Sequence, residues 1–417
     1  MWPYKNTRLL KYFVYYVIFK GYFVFWLPKG LLFLEECYGS MKKTVVDLCC
    51  GAGGFSLGAH LAGFSTLAAI DIDQDLTSSW RMNFPSAKVF HADIRELDEA
   101  FWKDVLKDEQ PDGVIGGPPC QGFSRIGKRD SSDPRNSLIV AFAEQVNILS
   151  PSFFVMENVE GILDSQNKKS LETAIEVFKQ QYHVLNPMVL NASDFGAPTN
   201  RKRVVLIGYK PQEGLSLTES DFANVVDKKV TVRSAISDLP CPSAAVTKGE
   251  GGFNLGEYPE DKKPSEYAAF LRALPHDGLG AEYFKNQVAK GFVTGLNATK
   301  HTVEVQERFE KVSPGKVDSV SRFPRLKWDA QAPTLRAGTG KDKGSFQSVR
   351  PIHPEQPRVI TIREAARIQG FPDWFVFHPT IWHSFRMIGN SVSPIFAKSV
   401  LNIVLKQLNV NREPIRA

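Results

Sequence analysis

Thr44-Val45-Val46-Asp47-Leu48-Cys49-Cys50-Gly51-Ala52-Gly53-Gly54-Phe55 is a short apolar run that ends in a glycine-rich turn. Its first part is continuously apolar instead of alternating, as expected of a strand covered on both faces. The glycines allow a tight turn and leave room for a ligand at the carboxyl edge of a sheet. Taken alone, such a turn could equally serve to pack a helix on a strand.

The same pattern recurs downstream. Apolar runs at 44–49, 66–70, 88–91, 112–115, 153–156, 184–191 and 203–209 read as strands, with amphipathic stretches such as 136–149 and 169–181 between them. The alternation predicts a doubly wound α/β domain around a mostly parallel, seven-stranded sheet. Beyond residue 210 the pattern fades into a Gly-, Pro-, Ser- and Lys-rich region, 211–350, with few convincing strands. Helical signals return at 361–368 and 394–408. The expected organisation is a main domain of residues 41–210 and 385–417, with a smaller, irregular domain at 211–384.

Residues 1–40 stand apart. They are rich in Phe, Tyr, Val, Leu and Trp, but Lys20, Gly21, Pro28 and Lys29 break the run. No uninterrupted span of ~18 apolar residues remains, so a membrane anchor is not expected. No small-residue cleavage site suggests a signal peptide. Met41-Lys42-Lys43 leads directly into the first strand, and the expectation is that natural translation begins at Met41. Lys5, Arg8, Lys11, Lys20 and Lys29 against Glu35 and Glu36 supply half of the net charge of +6. The remaining excess permits a polyanionic partner without arguing for one. Five cysteines, Cys37, Cys49, Cys50, Cys120 and Cys241, contain no CxxC pair. A disulfide framework and a zinc site are therefore not expected, and a reducing cytosol is.

Candidate ligand-binding residues gather at strand ends. After Asp47, Gly51, Gly53 and Gly54, the second strand ends at Asp71-Ile72 and the third at Asp93-Ile94. Asp71 could accept from ribose hydroxyls and Asp93 from an adenine amino group, although either could be a helix N-cap. Three such features on successive strands point to a nucleoside-containing cofactor. Neither a GxGxxG spacing nor a GK[ST] motif is present, which argues against NAD and nucleoside triphosphates. The fourth strand runs into Gly116-Gly117-Pro118-Pro119-Cys120-Gln121-Gly122-Phe123-Ser124. The prolines stiffen the turn and present Cys120 at the rim of the same pocket. A thiol of ordinary pKa is only a few per cent thiolate at neutral pH, and a nearby Arg or helix N-terminus would raise that fraction.

Gly-Pro-Pro-Cys-Gln-Gly-Phe-Ser resembles the nucleophile motif of the DNA (cytosine-5) methyltransferases, and further motifs of that family follow in order. Glu157-Asn158-Val159 is similar to the catalytic glutamate motif, and Asn200-Arg201-Lys202-Arg203-Val204 to the Arg-x-Arg motif. The stretch 358–370, with Thr361-Ile362-Arg363-Glu364-Ala365-Ala366-Arg367, is similar to the motif that organises the recognition domain. Ile388-Gly389-Asn390-Ser391-Val392 is similar to the last motif, which returns to the cofactor pocket. The resemblance spans about residues 44–400. It implies a Rossmann-like methyltransferase fold that uses S-adenosylmethionine, with Pro119, Leu138, Asn390 and Ser391 joining the cofactor residues above. It also implies double-stranded DNA as substrate, a target-recognition segment within 211–384, and a bacterial or phage setting, with a separate restriction endonuclease as a potential partner.

The chemistry explains the residue types. Carbon 5 of cytosine is a poor nucleophile, and adding a thiolate at carbon 6 makes it electron-rich. Cys120 is assigned this attack. Protonated Glu157 could donate to N3, with Arg201 and Arg203, alternating along a strand, holding the base carbonyl and orienting Glu157. Ordinary surface arginines are the competing explanation. The base must be flipped from the duplex, and 121–136, with Ser124, Arg125 and Arg135, suits a loop that closes over it. Arg336, Lys341 and Lys343 lie in a glycine-rich stretch suited to DNA contacts. Three departures stand out: Cys49 where the family usually has Phe, Thr199 where Gln is common, and Ser393 in place of a proline. A tRNA cytosine-5 methyltransferase is the nearest rival, but its motif typically has Pro and Thr where Gly122 and Ser124 stand. A catalytically silent sequence-specific DNA-binding protein is the rival from another class.

Overall fold

The computed structural model describes residues 42–107, 109–119, 137–165, 167–242, 245–246, 253–275, 278–337 and 350–410, together with three short strands in the first 41 residues. The chain forms two compact units, Met1–Lys43 and Thr44–Ala417. In the first, Tyr16–Phe19, Tyr22–Phe25 and Phe33–Glu36 pair as an antiparallel meander.

The second unit is built on a mixed sheet. Its strands are β1 (Thr44–Leu48), β2 (Ser65–Asp71), β3 (Lys88–His91), β4 (Gly113–Gly116), β5 (Phe153–Asn158), β6 (Met188–Asn191) and β7 (Lys202–Tyr209). They lie in the order β3-β2-β1-β4-β5-β7-β6. β1 to β5 are mutually parallel. β7 runs antiparallel to both β5 and β6. The stretch expected as one strand at 184–191 is interrupted: His183–Val184 pairs with the end of β7, and β6 resumes at Met188. Pro187 lies in the gap, where its missing N–H cannot serve a ladder.

Side chains on β1 alternate between two cores. Val45 packs with Phe55, Phe153, Val155 and Phe396 on one face. Val46 and Leu48 pack with Val114, Phe142, Phe154 and Phe178 on the other. The first face is covered by α1 (Gly54–Ala62) and α7 (Pro394–Val410), the second by α2 (Glu99–Leu106), α3 (Ser137–Leu149) and α4 (Lys168–Phe178). Coverage of both faces is why these strands read as unbroken apolar runs. α1 and α7 approach closely: a Cβ at Gly58 would fall 2.3 Å from Ala397 Cβ and 2.8 Å from the Pro394 carbonyl oxygen. On the opposite face Phe154 stacks on Phe178 with ring centroids 3.9 Å apart.

Between residues 211 and 361 the described chain holds only short helices and two-residue strands, as its composition predicts. This region is organised by α5 (Ile362–Gln369), all eight residues of which are buried. Thr361 and Glu364 form a reciprocal capping box at its start. The Arg363 guanidinium donates to carbonyls of Thr294, Pro372 and Phe375. Arg367 pairs with Asp373 and Asp238. Two fully buried arginines thus tie segments 235–238, 294 and 372–375 to one helix. The following helix, α6 (Ile381–Asn390), precedes α7. The apolar stretch Ile381–Asn409 is long enough to cross a membrane by length and composition, but 67% of its window is buried inside the protein.

Candidate active site

The carboxyl edge of the sheet carries the site. β1 ends in a turn in which Cys49, Gly51 and Gly53 all have positive φ (60°, 53° and 88°). A side chain at Gly53 would strike Phe84 at 2.5 Å, and one at Gly54 the Val392 carbonyl oxygen at 2.3 Å. Protein packing therefore demands these two glycines. Gly51 differs: among the described residues no atom lies within 4 Å of the position its Cβ would take. Of the three glycines expected to make room for a ligand, Gly51 faces open space.

Asp47 is fully buried. Its Oδ2 accepts from Ser56 N (3.2 Å) and Oγ (2.6 Å), while Oδ1 has no partner among the described residues. Burial pushes its carboxyl up to about 7. Asp71 accepts from the backbone N–H groups of Gly51 and Asp73, each at 2.8 Å, which locks the glycine turn to the end of β2. Burial raises its pKa as well. The neighbouring Ile72 is 67% exposed, an apolar side chain standing open beside that edge. Asp93 caps the turn Ile94–Glu96 by accepting from Arg95 N at 3.0 Å and also ion-pairs with the Arg95 side chain, which lowers its pKa. Ile94 is buried in the core. Leu138 is partly buried against the same core cluster. Burial pushes both the Cys49 and Cys50 thiols up, leaving them neutral.

Two strands away, Glu157 near the end of β5 is buried, and its Oε1 lies 2.7 Å from Arg203 Nε on β7. The antiparallel register of β5 and β7 brings them together, with Glu157 opposite Val205. Burial lowers the Arg203 pKa, opposed by the Glu157 charge. The segment leaving β4 passes directly over this pair: a Cβ at Gly117 would lie 3.3 Å from Glu157 Oε2. Asn158 Nδ2 donates to the Pro118 carbonyl at 3.2 Å, fixing the turn, and Pro119 is exposed. Cys120 and residues 121–136, including Ser124, Arg125 and Arg135, lie outside the described residues, as do Lys341 and Lys343.

Arg201 stands just before β7, which begins at Lys202, while Thr199–Asn200 pairs separately with Ala332–Pro333. Strand alternation does not apply across that break. Arg201 is buried and donates to the carbonyls of Leu335 (3.0 Å), Gly389 (3.0 Å) and Ser391 (3.1 Å). Arg203 makes the direct ion pair with Glu157, and the charges of both are felt at Arg201. Val392 and Ser391 of the last motif lie against Gly54 of the glycine turn. Ser391 donates its hydroxyl to Met387 O and is itself buried, while Asn390 is exposed. Arg336 is exposed, immediately after Leu335. Sequence reasoning missed Arg386, which ion-pairs with Asp73 beside Asp71. The helical spacing of Ile381, Ser384, Phe385 and Ile388 is the signal that would have revealed the helix carrying it. Among the described residues no group of three or more His, Cys, Asp or Glu could hold a metal ion.

The strand order, the glycine turn after β1 and the acidic ends of β2 and β3 define a Rossmann-like methyltransferase. Residues 43–406 match the description "C-5 cytosine-specific DNA methylase", and the chain belongs to that family: it is a DNA (cytosine-5) methyltransferase. It is similar to the Type II methyltransferase M.XorII of Xanthomonas oryzae pv. oryzae, 40% identical over 88% of this chain and 86% of that protein. It is 34% identical to M.DdeI of Desulfomicrobium norvegicum, over 86% and 87% of the two chains. Among solved structures it resembles a protein encoded within an E. coli prophage and assigned as a DNA modification methyltransferase, with TM-score 0.78 and 38% identity over 88% and 99%. The S. pombe Dnmt2 methyltransferase shares the fold at TM-score 0.56 and 17% identity, over 88% and 99%.

Proposed function

We propose that this enzyme methylates cytosine within a specific double-stranded DNA sequence through a covalent bond between Cys120 and carbon 6 of a flipped base. The reading rests above all on the Glu157–Arg203 pair lying beneath Gly117, three residues before Cys120. The Cys120 thiolate adds to C6 as Glu157 gives a proton to N3, leaving C5 electron-rich. Arg203 holds the Glu157 carboxyl toward the ring edge. Once C5 carries the methyl group, it loses its hydrogen as a proton, N3 returns its proton, and the S–C6 bond breaks, restoring the thiolate. Flipping the base costs a few kcal/mol of stacking and pairing. We assign closure over it to residues 121–136, with Ser124, Arg125 and Arg135 on the DNA.

S-adenosylmethionine, when bound, supplies the methyl group. The residues fit such a nucleoside: open space at Gly51, an exposed apolar Ile72 to lie against a base, and an unpartnered buried oxygen on Asp47. Asp47, Gly51, Gly53, Gly54, Asp71, Ile72, Asp93, Ile94, Pro119, Leu138, Asn390 and Ser391 would hold it. Residues 211–384 serve as the recognition domain, with Arg336, Lys341 and Lys343 toward DNA. The Type II names of the relatives support a role in restriction–modification, beside a separately acting endonuclease and in the cytosol where its DNA lies.

A duplex carrying 5-fluorocytosine at the target position tests the mechanism, because fluorine blocks the final proton loss. The wild-type chain is expected to form a denaturation-resistant adduct, and Cys120→Ala to bind duplex without forming one. An adduct that persists in Cys120→Ala would overturn the assignment. Bisulfite sequencing of DNA from expressing cells gives the target sequence.

A further inference from the structure

α6 and the residues after it touch both sides of the site. On the cofactor side, Arg386 pairs with Asp73, and Ser391 and Val392 lie against Gly54. On the other side, Gly389 meets the backbone of Arg336 and Ala337, where a Cβ would lie 2.5 Å from Ala337 N and 2.7 Å from Arg336 C. The Arg350 guanidinium lies over the Phe385 ring, 4.8 Å from its centre. Arg201 joins the two sides. One arm of its fork holds Leu335 O, just before Arg336, and the other holds Gly389 O and Ser391 O. These segments lie 134 to 190 residues from Arg201 in sequence.

A guanidinium buried on carbonyls is stable only while those carbonyls keep their positions. Its rigid planar fork spans two segments, which a lysine ammonium on a flexible stem cannot reproduce. We propose that Arg201 is a positioning residue that fastens Arg336, on the DNA side, to the cofactor-side wall formed by α6, so that binding at either place is coupled through it. The proposal rests on the reading of Arg336 as DNA-facing and of the Gly51 edge as the cofactor pocket. Coupling of this kind is reciprocal: each ligand changes the affinity of the other by the same factor.

The test measures the dissociation constant of S-adenosylhomocysteine with and without target duplex, and that of the duplex with and without S-adenosylhomocysteine. Wild type is expected to show coupling of about tenfold, within the usual range for linked sites. Arg201→Met is expected to bind each ligand alone while its coupling falls below about twofold, and Arg201→Lys, which keeps one cationic donor, to recover part of it. Coupling undiminished in folded Arg201→Met, or absent from wild type, overturns the proposal. Should the Arg201→Met chain fail to fold, Gly389→Ala keeps the Arg201 side chain but displaces the Arg336–Ala337 backbone against which Gly389 packs, and is expected to lose coupling; if it keeps the wild-type factor, the proposal falls. A wild-type chain that binds neither ligand instead sinks the underlying reading of the two sites.

Discussion

Arg201 and Arg203 are two positions apart and do different things, because one stands just outside a strand and the other within it. Arg203 is held in the β5–β7 register beside Glu157, whereas Arg201 turns to carbonyls at 335, 389 and 391. The carboxylate of Glu157 is buried with one charged partner, so removing Arg203 would leave an uncompensated charge and confound activity with stability. Glu157→Gln is the cleaner probe. The amide oxygen can still accept from Arg203 Nε, so folding should survive, but no acidic proton remains for N3. Single-turnover methylation is expected to slow by about 10²–10⁴-fold, the usual contribution of a positioned general acid. A rate within a few fold of wild type would remove Glu157 from the proton transfer.

At the scale of elements, the strands of the sheet were legible because burial on two faces leaves an unmistakable apolar run. Val45 and Val46 face different cores yet both are wholly buried. The broken strand at Pro187 was misread because the apolar residues on either side of the break are of one kind. α6 is legible only through the helical spacing of its buried Ile381, Ser384, Phe385 and Ile388, a signal short enough to be masked by the Gly389-Asn390-Ser391 motif that ends it. The Glu157–Arg203 contact was legible as a pair of motifs, but its geometry depends on an antiparallel register that no local pattern encodes. The α1–α7 contact is the element-scale feature most open to test. Gly58 is there because Ala397 and the Pro394 carbonyl leave no space for a side chain. Gly58→Val would force the helices apart and is expected to destabilise the fold by about 1–3 kcal/mol or more, as overpacking does. A urea unfolding midpoint equal to that of wild type would show that the interface yields freely.

For the whole molecule, buried titrating groups set opposing demands on pH. Burial raises Asp47 from 3.8 to about 7, so the folded state holds a proton the unfolded chain gives up. Its contribution to stability is present below the unfolded pKa and is lost as pH rises through the folded one. Asp71 acts in the same sense. His353 is the reverse. Burial lowers it from 6.5 to about 4, with its Nδ1 accepting from the backbone N–H groups of Glu355 and Gln356. Its contribution is present above the unfolded pKa and is lost as pH falls through the folded one. His301 and His378, also lowered by burial, add to that side. At about 1.4 kcal/mol per pH unit, Asp47 carries roughly 4–5 kcal/mol and His353 roughly 3–4 kcal/mol across overlapping windows, with opposite sign. The two therefore offset each other in wild type, and single substitutions should separate them. Asp47→Asn keeps acceptors for Ser56 but no longer titrates, so its stability relative to wild type should improve as pH rises from about 4 to 7. His353→Gln should change in the opposite direction, losing ground to wild type at low pH less and at neutral pH more. Urea unfolding of the three chains across that window checks both slopes; parallel curves would mean that neither burial is felt by the folded state.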